Sequence, residues 1–183
     1  MGFLQGLIRV IDAVNERIGR ATSWLALGMV VVQVIVVVMR YVFGLSVLMM
    51  QESIWYMHSI VFLVAAGYTL LHDGHVRVDI LYGAVDRRNK AMINLFGVIV
   101  ILLPVCVMLW WVSWPYVAAA WAVHEGSVEV SGIPGVYLLK TGMLVYAALL
   151  FIQGISLGLK SAFVLAGVGA NGSVGADGTE HGL

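Results

Sequence analysis

The chain has 183 residues, of which 61% are hydrophobic and only 11% are charged, and its net charge is zero. Its mean hydropathy of +0.97 excludes an ordinary soluble domain, in which about half of the residues are apolar and about a quarter are charged. The neutral balance gives no indication of nucleic-acid binding, and a single cysteine, Cys106, excludes an intrachain disulfide and a cysteine-rich metal site. The composition indicates an integral membrane protein.

Residues 1–20 are predicted to form an amphipathic helix. Apolar residues recur there every three or four positions, and polar residues occupy much of the rest of the helical wheel. The apolar positions are Leu4, Leu7, Ile8, Ile11, Val14 and Ile18, and the polar ones are Gln5, Arg9, Asp12, Glu16 and Arg20. Charges throughout the segment argue against a cleavable signal peptide. We expect this helix to lie along the cytoplasmic membrane surface or to dock on a partner.

Four apolar stretches follow, each near or above the roughly 20 residues that a helix needs to cross the hydrocarbon core. They predict spans at about residues 21–42, 53–71, 91–114 and 137–159, within a transmembrane domain of residues 21–160. Residues 161–183 end in a glycine-rich segment with little apolar bulk, so they are predicted to be a flexible cytoplasmic tail. The predicted fold class is an all-α membrane protein with four transmembrane helices and an N-terminal amphipathic helix.

The third apolar stretch is too long for one upright helix. No acidic or basic residue occurs between Lys90 and Glu125, and a single helix of that length would measure about 50 Å at about 1.5 Å per residue. We therefore expect this helix to tilt, protrude or break. Pro115, within a group of interfacial aromatic residues, is the predicted break, and Pro104 is expected only to kink the helix.

The basic residues predict the orientation in the membrane. Eight of the ten lie before the first span, between the second and third spans, or after the fourth. Only Arg40 and Lys140 lie on the other side, where Lys140 is close enough to the fourth span to snorkel. The positive-inside rule then places both termini in the cytoplasm.

His58 is the one clear ionisable group inside a predicted span. A histidine buried in a membrane is a functional hypothesis by default, because its polar atoms need partners there. We expect it to remain neutral and to hydrogen-bond to another helix, with Gln33 and Gln153 as candidate partners. No second histidine at a similar depth indicates a ligand pair.

Two weaker patterns occur near the membrane boundary and in the last span. His72 and His75 are three residues apart, but Gly74 weakens a helix between them and no fourth ligand is evident, so we expect interfacial anchoring rather than metal binding. Gly154 and Gly158 form a GxxxG pattern, which permits two helices to approach closely.

An ordered set of short motifs resembles a known family. Arg40-Tyr41-Val42-Phe43 closes the first span, Gln51-Glu52 opens the second, and Gly74-His75-Val76-Arg77-Val78-Asp79 follows it. Glu125-Gly126-Ser127, Gly132-Ile133-Pro134-Gly135, Lys140 and Gln153-Gly154 come next in order. Together they resemble the small permease subunit, of DctQ type, of tripartite ATP-independent periplasmic (TRAP) transporters. Where many members have a tryptophan and two acids, this chain has Met49-Met50-Gln51-Glu52, with one carboxylate.

The resemblance implies a non-catalytic subunit of the bacterial inner membrane that holds a large, sodium-coupled permease subunit of DctM type. A periplasmic solute-binding protein would deliver an organic acid or related solute. No cofactor is expected in this chain, because sodium would bind to the large subunit. Membrane lipids are the other expected partners, and the basic residues Arg87, Arg88 and Lys90 are suited to anionic headgroups.

The resemblance also supplies candidates for the partner interface. Arg40 and Glu52 lie at the outer ends of the first two spans, where they can form an ion pair or point at the partner. His75, Arg77 and Asp79 are expected to fix the cytoplasmic loop against the partner or lipid headgroups. The remaining candidates are Glu125, Lys140, Gly154 and Gly158.

Two alternatives from other classes stay open at this point. One is a haem- or quinone-binding membrane anchor subunit of a redox complex, which needs paired axial ligands facing each other across a bundle. The other is an assembly factor or membrane anchor of a different complex.

Overall fold

The computed structural model describes residues 2–75 and 85–167, and within these ranges it contains helices and no strand. Four helices are long and apolar enough to cross a membrane: α1 is Gly2–Val42, α2 is Leu48–Leu71, α3 is Arg87–Ala122 and α4 is Val136–Leu165. This confirms the predicted all-α fold with four membrane-spanning helices. The bounds extend beyond the predicted spans, and the tail from residue 168 onward lies outside the described residues.

Helix α4 is the centre of the bundle, because α1, α2 and α3 all pack against it, while α1 and α2 also pack against each other. Two ends can be distinguished. The end that holds the start of α1, the end of α2 and the end of α4 is called the termini end. The opposite end holds the connections at residues 43–47 and 123–135. Between them lies an apolar core in which Ala66, Cys106 and Leu150 are buried.

The segment predicted as a separate amphipathic helix is helical, but it continues without interruption into the first span as part of the 41-residue α1. Its orientation also differs from the expectation. Asn15 is fully buried, whereas Leu7, Val10 and Val14 are exposed. The side that faces the bundle carries Ile8, Asp12 and Asn15, while Leu7, Val10 and Val14 face outward together with Gln5 and Arg9.

Polar side chains of α1 and α4 form what we call the Asp12 network. The Asp12 carboxylate accepts hydrogen bonds from Gln153 Nε2 at 3.1 Å and Ser156 Oγ at 2.8 Å, and it pairs with Lys160 Nζ at 2.7 Å. Asn15 Nδ2 donates to Gln153 Oε1 at 2.8 Å, while its buried Oδ1 accepts no hydrogen bond from the described residues. The network has the spacing i, i+3 on α1 and i, i+3, i+7 on α4, so one helix face meets another.

Helix α3 is continuous through Pro115, so the predicted break at this residue is wrong. The helix is irregular closer to its start, where Gly97–Leu102 forms a π-helical segment that ends two residues before Pro104. Proline lacks an N–H and its ring crowds the carbonyl four residues earlier, and a wider turn relieves that contact. The sequence predicted only a kink at Pro104, whereas the structure has a π-helical segment next to it.

Gly154 and Gly158 set the distance between α4 and this part of α3. Both glycines are buried; a Cβ at Gly154 would lie 2.8 Å from a Leu102 methyl, and one at Gly158 would lie 3.3 Å from a Val98 methyl. The GxxxG pattern thus permits close helix approach inside this subunit. We assign both residues to packing within the chain rather than to the partner interface.

Gly19 permits the closest approach between α1 and α2. The Tyr68 side chain lies directly on it, and a Cβ at Gly19 would overlap the Cβ and Cγ atoms of Tyr68. Because these atoms are at the root of the tyrosine side chain, rotation of the ring cannot relieve the overlap, so the helices would have to separate.

We expect Gly19→Ala to destabilise the subunit by about 1–3 kcal/mol, the usual range for overpacking. The measurement is the midpoint of thermal unfolding of the purified subunit in detergent. Gly6→Ala in the same helix is the matched control, because a Cβ there meets no atom within 4 Å and alanine favours a helix. Equal midpoints for the two variants would contradict the close contact of Tyr68 with α1.

Candidate functional site

The connection between α3 and α4 is an ordered loop at the opposite end of the bundle. Helix α3 ends where His124 adopts a left-handed conformation (φ 46°), which lets the Glu125 N–H return to the Ala120 carbonyl at 2.9 Å. The loop then folds on itself through a hydrogen bond from Ser127 N–H to the Ile133 carbonyl at 3.2 Å. These bonds satisfy backbone groups that the helices leave free.

Glu52, in the first turns of α2, holds this loop through what we call the Glu52 clamp, formed with Ser127 and Ile133. Its carboxylate accepts hydrogen bonds from Ser127 Oγ at 2.5 Å and from the Ile133 N–H at 2.6 Å. Glu52 retains only 8% exposure, so its charge depends on these donors. Gly132 has no side chain to displace Ser127 or the carboxylate. The clamp fixes the loop to α2.

The predicted ion pair between Arg40 and Glu52 is therefore wrong. Both oxygens of Glu52 are used by the loop, and Arg40 is exposed and forms no ion pair with another residue of the described ranges. Gly44 adopts a left-handed φ of 66° just after α1, and the Leu45 N–H bonds to the Met39 carbonyl at 3.0 Å. This turn ends the helix and leaves the guanidinium group open to a partner or to headgroups.

Glu125 and Lys140 form a second contact at the same end. Lys140 Nζ lies 2.6 Å from Glu125 Oε2 and 3.9 Å from the centre of the Tyr116 ring. The lysine thus pairs across the loop and stacks on α3 instead of simply snorkelling. Trp121 Nε1 donates to Thr141 Oγ1 at 2.9 Å. This end of α4 is therefore fixed to α3 by charged and aromatic contacts.

At the termini end, the polar run after α2 begins with a helix stop. Asp73 adopts a left-handed φ of 58°, and the Gly74 N–H bonds to the Thr69 carbonyl at 2.9 Å. His72 Nε2 lies 2.6 Å from Glu16 Oε2 on α1, whereas His75 is exposed. Arg77 and Asp79 lie outside the described residues, so their predicted roles stay predictions.

The predicted partners of His58 are wrong. Gln153 is used by the Asp12 network, and Gln33 is exposed on α1. His58 itself is exposed and stacks on Phe62, with 5.9 Å between the ring centres. Across the described ranges, no group of three or more histidine, cysteine or carboxylate side chains is arranged to hold a metal ion.

The sequence reasoning missed Asp12, Asn15, Ser156 and Lys160 as a connected set. The sequence contains a signal for this set, because Gln153, Ser156 and Lys160 share one face of an otherwise apolar helix. Together the contacts form two polar networks at opposite ends of the bundle. They can fix helices relative to one another, and the long helices still expose apolar side chains along their outer faces.

We expect Glu52→Ala to loosen the loop, because the Ile133 N–H and the Ser127 hydroxyl lose their acceptor. The cost is about 1–3 kcal/mol, so exchange of the Ile133 amide hydrogen should accelerate about tenfold to hundredfold in hydrogen–deuterium exchange mass spectrometry.

Glu129→Ala is the matched control for this measurement, since it removes an exposed carboxylate from the same loop. Its exchange should stay close to that of the wild type. Equal exchange in Glu52→Ala and the wild type would show that the clamp does not hold the loop.

Comparison with known proteins identifies the family of this chain. The family described as "Tripartite ATP-independent periplasmic transporters, DctQ component" matches residues 29–164, which covers α2 and α3 in full, α4 up to its last residue and most of the apolar part of α1. No curated protein and no solved structure matches the chain. The matched range includes the Glu52 clamp and the Glu125–Lys140 pair. The chain belongs to the DctQ family and is a small membrane subunit of a TRAP transporter.

Proposed function

We propose that this subunit is a non-catalytic scaffold that binds the large, DctM-type permease subunit and holds it in place during sodium-coupled uptake of an organic acid or related solute. The observation that carries this proposal is the distribution of polar groups. The networks that hold the helices together lie at the two ends, and the core between them is apolar.

An apolar core argues against a solute pathway through this chain. Transport sites near the middle of a membrane are built from broken helices and converging polar groups. Here the hydrophobic cluster between the networks is formed by the buried residues Ala66, Cys106 and Leu150, and the partly buried side chains packed on them are also apolar or aromatic. The proposed role is therefore support of the permease rather than conduction.

The outer surface supports a role in binding a membrane partner. In the most apolar 18-residue stretch of α1, no residue is buried. In the corresponding stretches of α2 and α3, 11% of the residues are buried. Exposed tryptophans, such as Trp24 and Trp55, add large apolar area to this surface. Lipid and a second membrane protein are the two environments that can cover it.

The proposed orientation places both termini in the cytoplasm and the Glu52 clamp on the periplasmic side of the inner membrane. It follows from the positive-inside rule, because eight of the ten basic residues of the sequence come before the first span, between the second and third spans, or after the fourth. The loop held by the clamp then presents Val128 and Val130, which are both fully exposed, toward the periplasm. This loop is suited to contact the solute-binding protein.

We expect Arg40→Ala to lower the amount of large subunit that co-purifies with this chain by about threefold or more, and solute uptake with it, because Arg40 is exposed and pairs with no residue of the described ranges. The measurement is quantitative pull-down of the co-expressed subunits, followed by uptake in proteoliposomes with a sodium gradient.

The control is the thermal midpoint of the isolated subunit. It should not change in Arg40→Ala, since the side chain makes no intrachain bond in the described ranges. Failure of the wild-type chain to co-purify with the large subunit would contradict the proposed function.

A further inference from the structure

We draw no further inference here: the strongest candidate, the apolar groove that Ile99, Pro104 and Trp111 of α3 form with Phe151 of α4 beside the π-helical segment, carries none, because nothing in the structure shows what covers it.

Discussion

The packing of this subunit depends on one partly buried carboxylate, which lies beside the fully buried Asn15, Gln153 and Ser156. Asp12 accepts two hydrogen bonds from α4 and pairs with Lys160 on the same helix. The amide groups of Asn15 and Gln153 and the hydroxyl of Ser156 are fully buried, and buried polar groups are costly unless they are hydrogen-bonded. The rotation of α1 about its axis is therefore fixed, because turning the helix would expose Asp12 and its neighbour Asn15 to an apolar environment. That rotation in turn directs Leu7, Val10 and Val14 outward.

The Glu52 clamp repeats this principle at the opposite end. Its carboxylate is nearly buried, and it is satisfied by one hydroxyl and one backbone N–H of the loop before α4. The Asp12 network ties α1 to α4, and the clamp ties α2 to the loop that leads into α4. With both ends held, the central helix has fixed neighbours along its length. A subunit built in this way is suited to stay in one conformation while a partner moves.

Much of the architecture could be predicted, because hydrophobic length and charge position determine which segments cross a membrane. The rotation of each helix could not. An amphipathic pattern at Asp12 and Glu16 indicates a helix, but it does not say whether the polar side meets water or another helix. The sequence also makes Gln153 a candidate hydrogen-bond partner of His58, because both are polar residues in apolar helices. Only the packing of the helices decides which polar residues meet, and Gln153 bonds to Asn15 and Asp12 instead.

The effect of each proline on the backbone of α3 could not be predicted from the sequence either. Pro104 and Pro115 look alike in sequence, yet the π-helical segment forms only before Pro104. The interface candidates divide similarly: Gly154 and Gly158 pack inside the chain, and Glu125 and Lys140 pair with each other. Arg40 and His75 are exposed and have no intrachain partner in the described ranges. Glu52 proved to be a clamp for the chain's own loop. Exposed residues are the ones for which a partner role stays open.

The claim that the two networks make this subunit a static support is tested most directly by distance measurement between spin labels. Labels at Tyr41 and Val123, both exposed at the opposite end, report on the separation of α1 and α3 in a background where Cys106 is replaced by serine. Double electron–electron resonance on the reconstituted complex should give the same distance distribution at rest and during the proposed sodium-coupled uptake. A shift of about 5 Å or more during uptake would contradict the account.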